Sequence, residues 1–318
     1  MKGFFQSQWQ VTEVIPEGWL VAAYNLSALG HPLLLCVPEA VLNEVLGTQD
    51  MGIVWPQTRV DTPYRAKLFE RTANGVQAYD LAGLSVRALF VDILPEQRAI
   101  VCGARARHDS SGAEANATIF DLGSGQPVTA FTLGDGIGQL QAIEDGSIFV
   151  GYFDQGIEGA LGWQNPLGAA GLVRFDQKGE LLWEFPSSPK LAPMDDCYAL
   201  NALQEETWVY YYRDFSLVRF NRAGSPDVAW NLGVEGAHAL AVVPGYAALF
   251  GSYEDSRDCT LLRLLPSGAA DEIHQFQLPL PPKAQIVARG GRYGALSGSR
   301  WLGGDLNHLI SALERTRA

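Results

Sequence analysis

Short runs rich in branched and aromatic side chains recur through the whole chain, separated by Gly, Pro, Asn and Asp. Within them apolar and polar positions alternate with a period of two, the pattern of strands rather than helices. The clearest recurring element is an apolar strand, a tight turn and a second apolar strand. Leu172-Val-Arg-Phe-Asp176 with Glu180-Leu-Leu-Trp-Glu-Phe185 is one copy, and Leu217-Val-Arg-Phe-Asn221 with Asp227-Val-Ala-Trp-Asn-Leu232 is another. Thr118-Ile-Phe-Asp121 with Val128-Thr-Ala-Phe-Thr-Leu133, and Leu261-Leu-Arg-Leu-Leu265 with Glu272-Ile-His-Gln-Phe276, repeat the pattern. The anchors Phe120, Phe175, Phe220 and Leu264 lie 55, 45 and 44 residues apart. A further pair of strand-like runs precedes the later hairpins, as in Leu140-Gln-Ala-Ile143 with Ile148-Phe-Val-Gly-Tyr152.

Four strands in every ~40–55 residues, repeated, is the unit of a propeller blade. The chain therefore predicts an all-β fold, a β-propeller occupying residues 1–318 as a single domain. Repeats fall at residues 84–133, 137–186, 195–232, 236–280 and 283–313, and the N-terminal eighty residues supply one more. That count favours six blades, with five or seven left open. A two-layer β-sandwich would use the same strands but leaves the repeat without a cause. An irregular insertion over residues 38–63 interrupts the first blade, and Glu39–Leu46 within it has the pattern of a short helix. Leu306 to Arg317 fits either a helix or the last outer strands. On these repeats the chain resembles the broad class of β-propeller repeat proteins over nearly its whole length. Neither the Gly-His and Trp-Asp signature of WD-type repeats nor the double glycine of kelch repeats recurs from repeat to repeat: Gly-His occurs once, at Gly30-His31, Trp-Asp nowhere, and double glycine only at Gly290-Gly291 and Gly303-Gly304. Gly151-Tyr-Phe-Asp154, Gly171-Leu-Val-Arg-Phe-Asp176 and Asp195-Asp-Cys-Tyr-Ala-Leu-Asn201 are similar to segments of uncharacterised bacterial propeller-like proteins. That resemblance implies a fold and no activity.

Composition narrows the function classes. Hydrophobic residues make up 47% and charged residues 18%, enough apolar material for a substantial core and no sign of a disordered chain. The formal net charge of -12 repels phosphate backbones, so nucleic acid is not an expected partner. Residues 281–318 carry +4 and residues 1–280 carry -16. Cys36, Cys102, Cys197 and Cys259 form no CxxC pair, which fits reduced, buried thiols. The N-terminus has no signal-peptide run, and no stretch approaches membrane-spanning length. A cytoplasmic monomer with no membrane contact is the expectation.

Candidate chemistry gathers on the loops. In a blade, the loop between the second and third strands shares a face with the connection between blades, and ligand sites form where such loops converge. Tyr152-Phe-Asp154, Tyr212-Arg213-Asp214 and Tyr253-Glu-Asp255 recur there. They read either as a ring of phenols and carboxylates facing a partner, or as Asx turns beside packed tyrosines. Asp195-Asp196-Cys197-Tyr198 occurs once and enters an innermost strand. Two adjacent carboxylates disfavour joint ionisation unless a cation or donors offset it. Asp195 and Asp196 are therefore candidate ligands for a divalent cation such as calcium, against a turn bridged to Arg213. Residues 155–170 form a long loop with Trp163, which is either an exposed binding anchor or a cap on its own blade. His108 beside Asp109 is a weak acid–base pair, because neighbours on an extended chain point apart.

No HExxH, P-loop, GxSxG or calcium-loop motif is present. Two functions compete on these grounds. One is a non-catalytic binding module whose acidic loop face recognises a protein partner, best a basic one, without cofactor. The other is a metal-dependent hydrolase or lactonase-like enzyme with its site at the central channel, supported by fold analogy.

Overall fold

The computed structural model describes residues 4–47, 57–186, 188–189 and 191–317. Six four-stranded antiparallel sheets follow one another along the chain, making a six-bladed β-propeller. The chain divides into two compact units. One holds Ile15–Ser188 and Pro193–Cys197, the other Met1–Val14, Pro189–Ala192 and Tyr198–Ala318.

The first of these units carries blades one to three. Blade one is Trp19–Leu26, Pro32–Pro38, Arg59–Thr72 and Gly75–Val86, with helix α1 at Glu39–Leu46 after its second strand. Gly47 ends that helix in the left-handed conformation (φ +65°), which a side chain would disfavour. Residues 48–56 of the expected irregular insertion lie outside the described residues. Blade two is Leu89–Leu94, Arg98–Gly103, Ala117–Asp121 and Pro127–Phe131. A two-residue ribbon, His108–Asp109 with Gly112–Ala113, projects from its middle. Blade three is Ile137–Ala142, Ile148–Tyr152, Leu172–Phe175 and Leu181–Glu184, with helix α2 at Asp154–Glu158.

The other unit carries most of blade four (Asp196–Ala202, Glu206–Tyr212, Ser216–Asn221, Pro226–Asn231) and all of blade five (Ala239–Val243, Tyr246–Phe250, Asp258–Leu264, Ala270–Gln277). Blade six has three local strands, Ile286–Arg289, Arg292–Ser297 and Arg300–Asp305. Its fourth, outermost strand is Ser7–Gln10 from the other end of the chain, with Trp9 opposite Trp301. Helix α3, Leu306–Arg317, follows and buries Leu306 and Leu309, so the C-terminal segment is a helix and not a strand pair.

Within each unit, apolar side chains fill the spaces between neighbouring blades. Leu94, Ile100 and Ile119 of blade two pack with Ile137, Val150 and Phe175 of blade three. Ala248, Phe250 and Leu261 of blade five pack with Ile286, Tyr293 and Leu302 of blade six. All four hairpin anchors, Phe120, Phe175, Phe220 and Leu264, are buried. A register shift falls immediately before each anchor phenylalanine, so the outer strand bends away without exposing it.

Polar side chains on the innermost strands join successive blades. Asn25 donates through Nδ2 to the Val91 carbonyl (3.0 Å), and Asp92 accepts from the Ala142 amide (2.8 Å). Asn201 donates to the carbonyls of Leu240 (2.7 Å) and Gly290 (3.0 Å) and accepts from the Gly290 amide (2.9 Å). Asp92 and Asn201 are fully buried, so these bonds replace water that the strands have lost.

Candidate functional site

The loops of blades four and five bring together four aromatic rings. Tyr198 comes from the first strand of blade four, Tyr212 and Phe215 from the turn after its second strand, and Tyr253 from the loop after the second strand of blade five. The Tyr198 and Tyr253 hydroxyls lie 2.7 Å apart in a hydrogen bond. Tyr198 stacks on Tyr212 (centroids 6.2 Å), while Phe215 meets Tyr212 (5.5 Å) and Tyr253 (6.1 Å) edge to face. Phe215 has a left-handed backbone (φ +50°), a strained state for a bulky residue that the surrounding rings hold in place. Tyr253 is 61% exposed and Tyr212 39% exposed, so the cluster keeps two phenols in solvent. Arg213 and Asp214, on the same turn, are exposed.

A groove of about 560 Å³ opens beside Tyr253. Its walls come from the connection between blades four and five (Val234, Glu235), from Tyr253 and Glu254, and from Phe276 and Gln277 on the outer strand. Asp255 sits behind the loop, held by Arg257 Nη2 (2.5 Å) and Nε (2.9 Å). These hydrogen bonds and the guanidinium charge lower the Asp255 carboxyl to about 2. That pair fixes the loop and is internally neutral.

The three Tyr-x-Asp segments are not equivalent. Tyr152 ends its strand fully buried, its hydroxyl donating to the Leu133 carbonyl (2.5 Å), whereas Tyr253 lies three residues beyond its strand. In blade four it is Tyr210 that is buried and bonded to a carbonyl, that of Val234 (2.6 Å), leaving Tyr212 free to face outward. A sequence alignment on Tyr-x-Asp pairs a core phenol with two surface ones.

Within the unit of blades one to three, Asp154 starts α2 and Asp196 starts the next blade's first strand. Burial, and then the charge of Asp154, raise the Asp196 carboxyl to about 7. Asp195, the preceding residue, is half-buried. Among the described residues no group of three or more His, Cys, Asp or Glu could hold a metal ion. Trp163 is only 8% exposed; its indole N–H donates to the Ala106 carbonyl (2.8 Å) and its ring meets His108 (5.0 Å). It therefore caps the core instead of projecting as an anchor. Asp109 turns to Ser111, accepting from its amide (2.7 Å) and hydroxyl (2.6 Å). Beneath these loops Arg105 clamps Asp135 with Nε (2.7 Å) and Nη2 (2.9 Å).

Charge also divides between the units. Blades one to three, with Pro193–Cys197, hold 22 acidic against 10 basic residues, the entire net charge of -12; the other unit holds 13 of each. Of the residues now brought together, the sequence had singled out Tyr198, Tyr212 and Tyr253 as candidates, and not Phe215, Glu235 or Glu254. An exposed glutamate on a loop carries no mark of its own; only the meeting of two loops selects these.

A family model described as the YxzG family matches residues 167–251, from the loop of blade three to the end of the second strand of blade five. No curated protein matches the chain in sequence. Among solved structures it is similar to the Cps50 (Swd1) β-propeller domain of Myceliophteria thermophila, at 10% identity and a TM-score of 0.51, over 95% of this chain and 98% of that one. It is similar to U3-55K at 8% identity and a TM-score of 0.50, over 95% and 99% of the two chains. Hsv2 of Kluyvelomyces marxianus aligns at 9% identity over 87% and 73%, with a TM-score of 0.48. The first two likenesses show the propeller fold.

Proposed function

We propose that this chain is a non-catalytic binding module that takes a basic protein partner on the loops of blades four and five. The solvent-open tyrosine cluster carries this reading. Tyrosine supplies large contact area with few rotatable bonds, and clustered exposed aromatics mark interaction surfaces. The acidic excess elsewhere on the chain favours a basic partner by speeding encounter.

A photo-crosslinking amino acid placed at Tyr212 or Tyr253 tests it, with exposed Val128 on the outer strand of blade two as control. The expected result is one basic protein captured from both loop positions and not from Val128. Its reconstituted complex should weaken at least about tenfold with Tyr253→Ala. Raising salt from about 0.1 M to about 1 M should slow association. Equal capture at all three positions, or an acidic partner, would remove the reading.

Asp154 and Asp196 support a second reading, a divalent cation bound between two carboxylates. It is separable by melting. A carboxyl raised from 3.8 to about 7 favours folding fully below pH 3.8, an advantage lost as pH rises to about 7. With chelator present, Asp196→Asn should therefore melt about 2 °C above wild type at pH 8, after solvent screening is allowed for, and level with it at pH 4. Calcium that raises the wild-type melting temperature, and not that of the variant, would assign the pair a cation.

A further inference from the structure

Resting on the binding reading above, we propose that the groove beside Tyr253 is a pocket for an arginine or lysine side chain of the basic partner. Glu235 and Glu254 reach it from two different loops, are exposed, and have no ion-pair partner among the described residues. The other carboxylates nearby are already satisfied. Asp258 accepts from Ser252 Oγ (2.6 Å) and Gln277 Nε2 (3.0 Å), and Asp255 is taken by Arg257. The groove thus keeps Glu235 and Glu254 without a paired cation, with the hydrogen-bonded but still charged Asp258 beside them, and a loop braced by the neutral Asp255–Arg257 pair.

The remaining walls suit a long cationic side chain. Val234 and Phe276 offer apolar surface to its methylenes, and the Tyr253 ring can lie against its charged head. Two carboxylates give a guanidinium matching acceptors, and an ammonium two countercharges. An anionic occupant would be repelled. A neutral one would cover both carboxylates without replacing their water, which disfavours it. The volume exceeds what one side chain needs, leaving room for flanking backbone along the outer strand Ala270–Gln277 of blade five.

The probe is a fluorescein-labelled nonapeptide of Gly and Ser with arginine at three alternate positions, read by anisotropy on the full chain at about 50 mM salt. Glu235→Gln combined with Glu254→Gln should weaken binding about tenfold or more, with an unchanged melting temperature. Citrulline in place of arginine should cause a similar loss on wild type. Val128→Ala, on the outer strand of blade two and in neither the ring cluster nor the groove lining, should change the peptide affinity less than about twofold. Equal affinities for wild type and the double glutamine variant, or for arginine and citrulline peptides, overturn the pocket. Failure here is distinct from failure of the binding module. A protein that still crosslinks at Tyr212 and binds the double variant unchanged removes the pocket alone. Peptide binding that follows the pattern above, with no protein captured at either tyrosine, keeps the pocket and removes the partner.

Discussion

Arg105→Ala is expected to destabilise the protein by about 3–5 kcal/mol, because it strands a buried charge. The Asp135 side chain is 1% exposed and takes both guanidinium bonds together with the Ala106 amide (3.0 Å). Without Arg105 the carboxylate keeps only that amide. Its options are to protonate, admit water or unfold the connection between blades two and three. The guanidinium also lies over the Phe153 ring (5.5 Å), next to the start of α2, so the loss extends to the Asp154 loop. Urea unfolding of Arg105→Ala, Asp135→Asn and the double variant checks this. Asp135→Asn on the Arg105→Ala background should recover much of the loss, since the amide oxygen still accepts from Ala106 without a charge to solvate. A single-variant cost below about 1 kcal/mol would mean that solvent already reaches the pair.

Deleting residues 1–10 should have an effect of similar or greater size. Ser7–Gln10 forms the outer edge of blade six, Trp9 is 9% exposed, and Phe5 is 8% exposed against Tyr293 and its neighbours. The Tyr293 hydroxyl donates to the Phe4 carbonyl (2.5 Å). Losing two buried aromatics costs about 3–5 kcal/mol each by analogy with core truncation, a large part of the ~5–15 kcal/mol typical of a domain. The strand Arg300–Asp305 would then become an unpaired edge, open to pairing with another copy. Expression with size-exclusion chromatography should show aggregate or oligomer. A soluble monomer melting within about 2 °C of the full chain would show that the strand contributes little.

Both results bear on which features a sequence exposes. The third-to-fourth strand hairpins were legible because the turn and its anchor are local: Phe120, Phe175 and Phe220 each sit beside their own turn. Helix α1 was legible to its ends, since its pattern is complete between Pro38 and Gly47. Alternation was weaker as a guide to the middle strands. Ile148–Tyr152 is buried at every position because a blade packs on both faces, whereas Ala270–Gln277 on the outside is largely open. Pairing of Trp9 with Trp301 left no local trace, and the N-terminal unit was assigned to the first blade alone. At the candidate site the aromatics stood out by type. Their division into buried Tyr152 and exposed Tyr212 and Tyr253 depended on where each strand ends, which composition does not fix.

Completion of blade six by the N-terminal strand also sets an order on synthesis. At the ~5–20 residues per second of a ribosome, about 15–60 s separates the appearance of Gln10 from that of Asp305. Throughout that interval Trp9 and Phe5 have no native site to enter, while blades one to five each gain all four of their strands in turn. The last local sheet is thus finished by a strand made before every other strand of the six blades, and a nascent chain cut short at any blade cannot complete it. A stalled or truncated product is marked by its own exposed N-terminal aromatics, a handle for the chaperones and proteases that clear such chains.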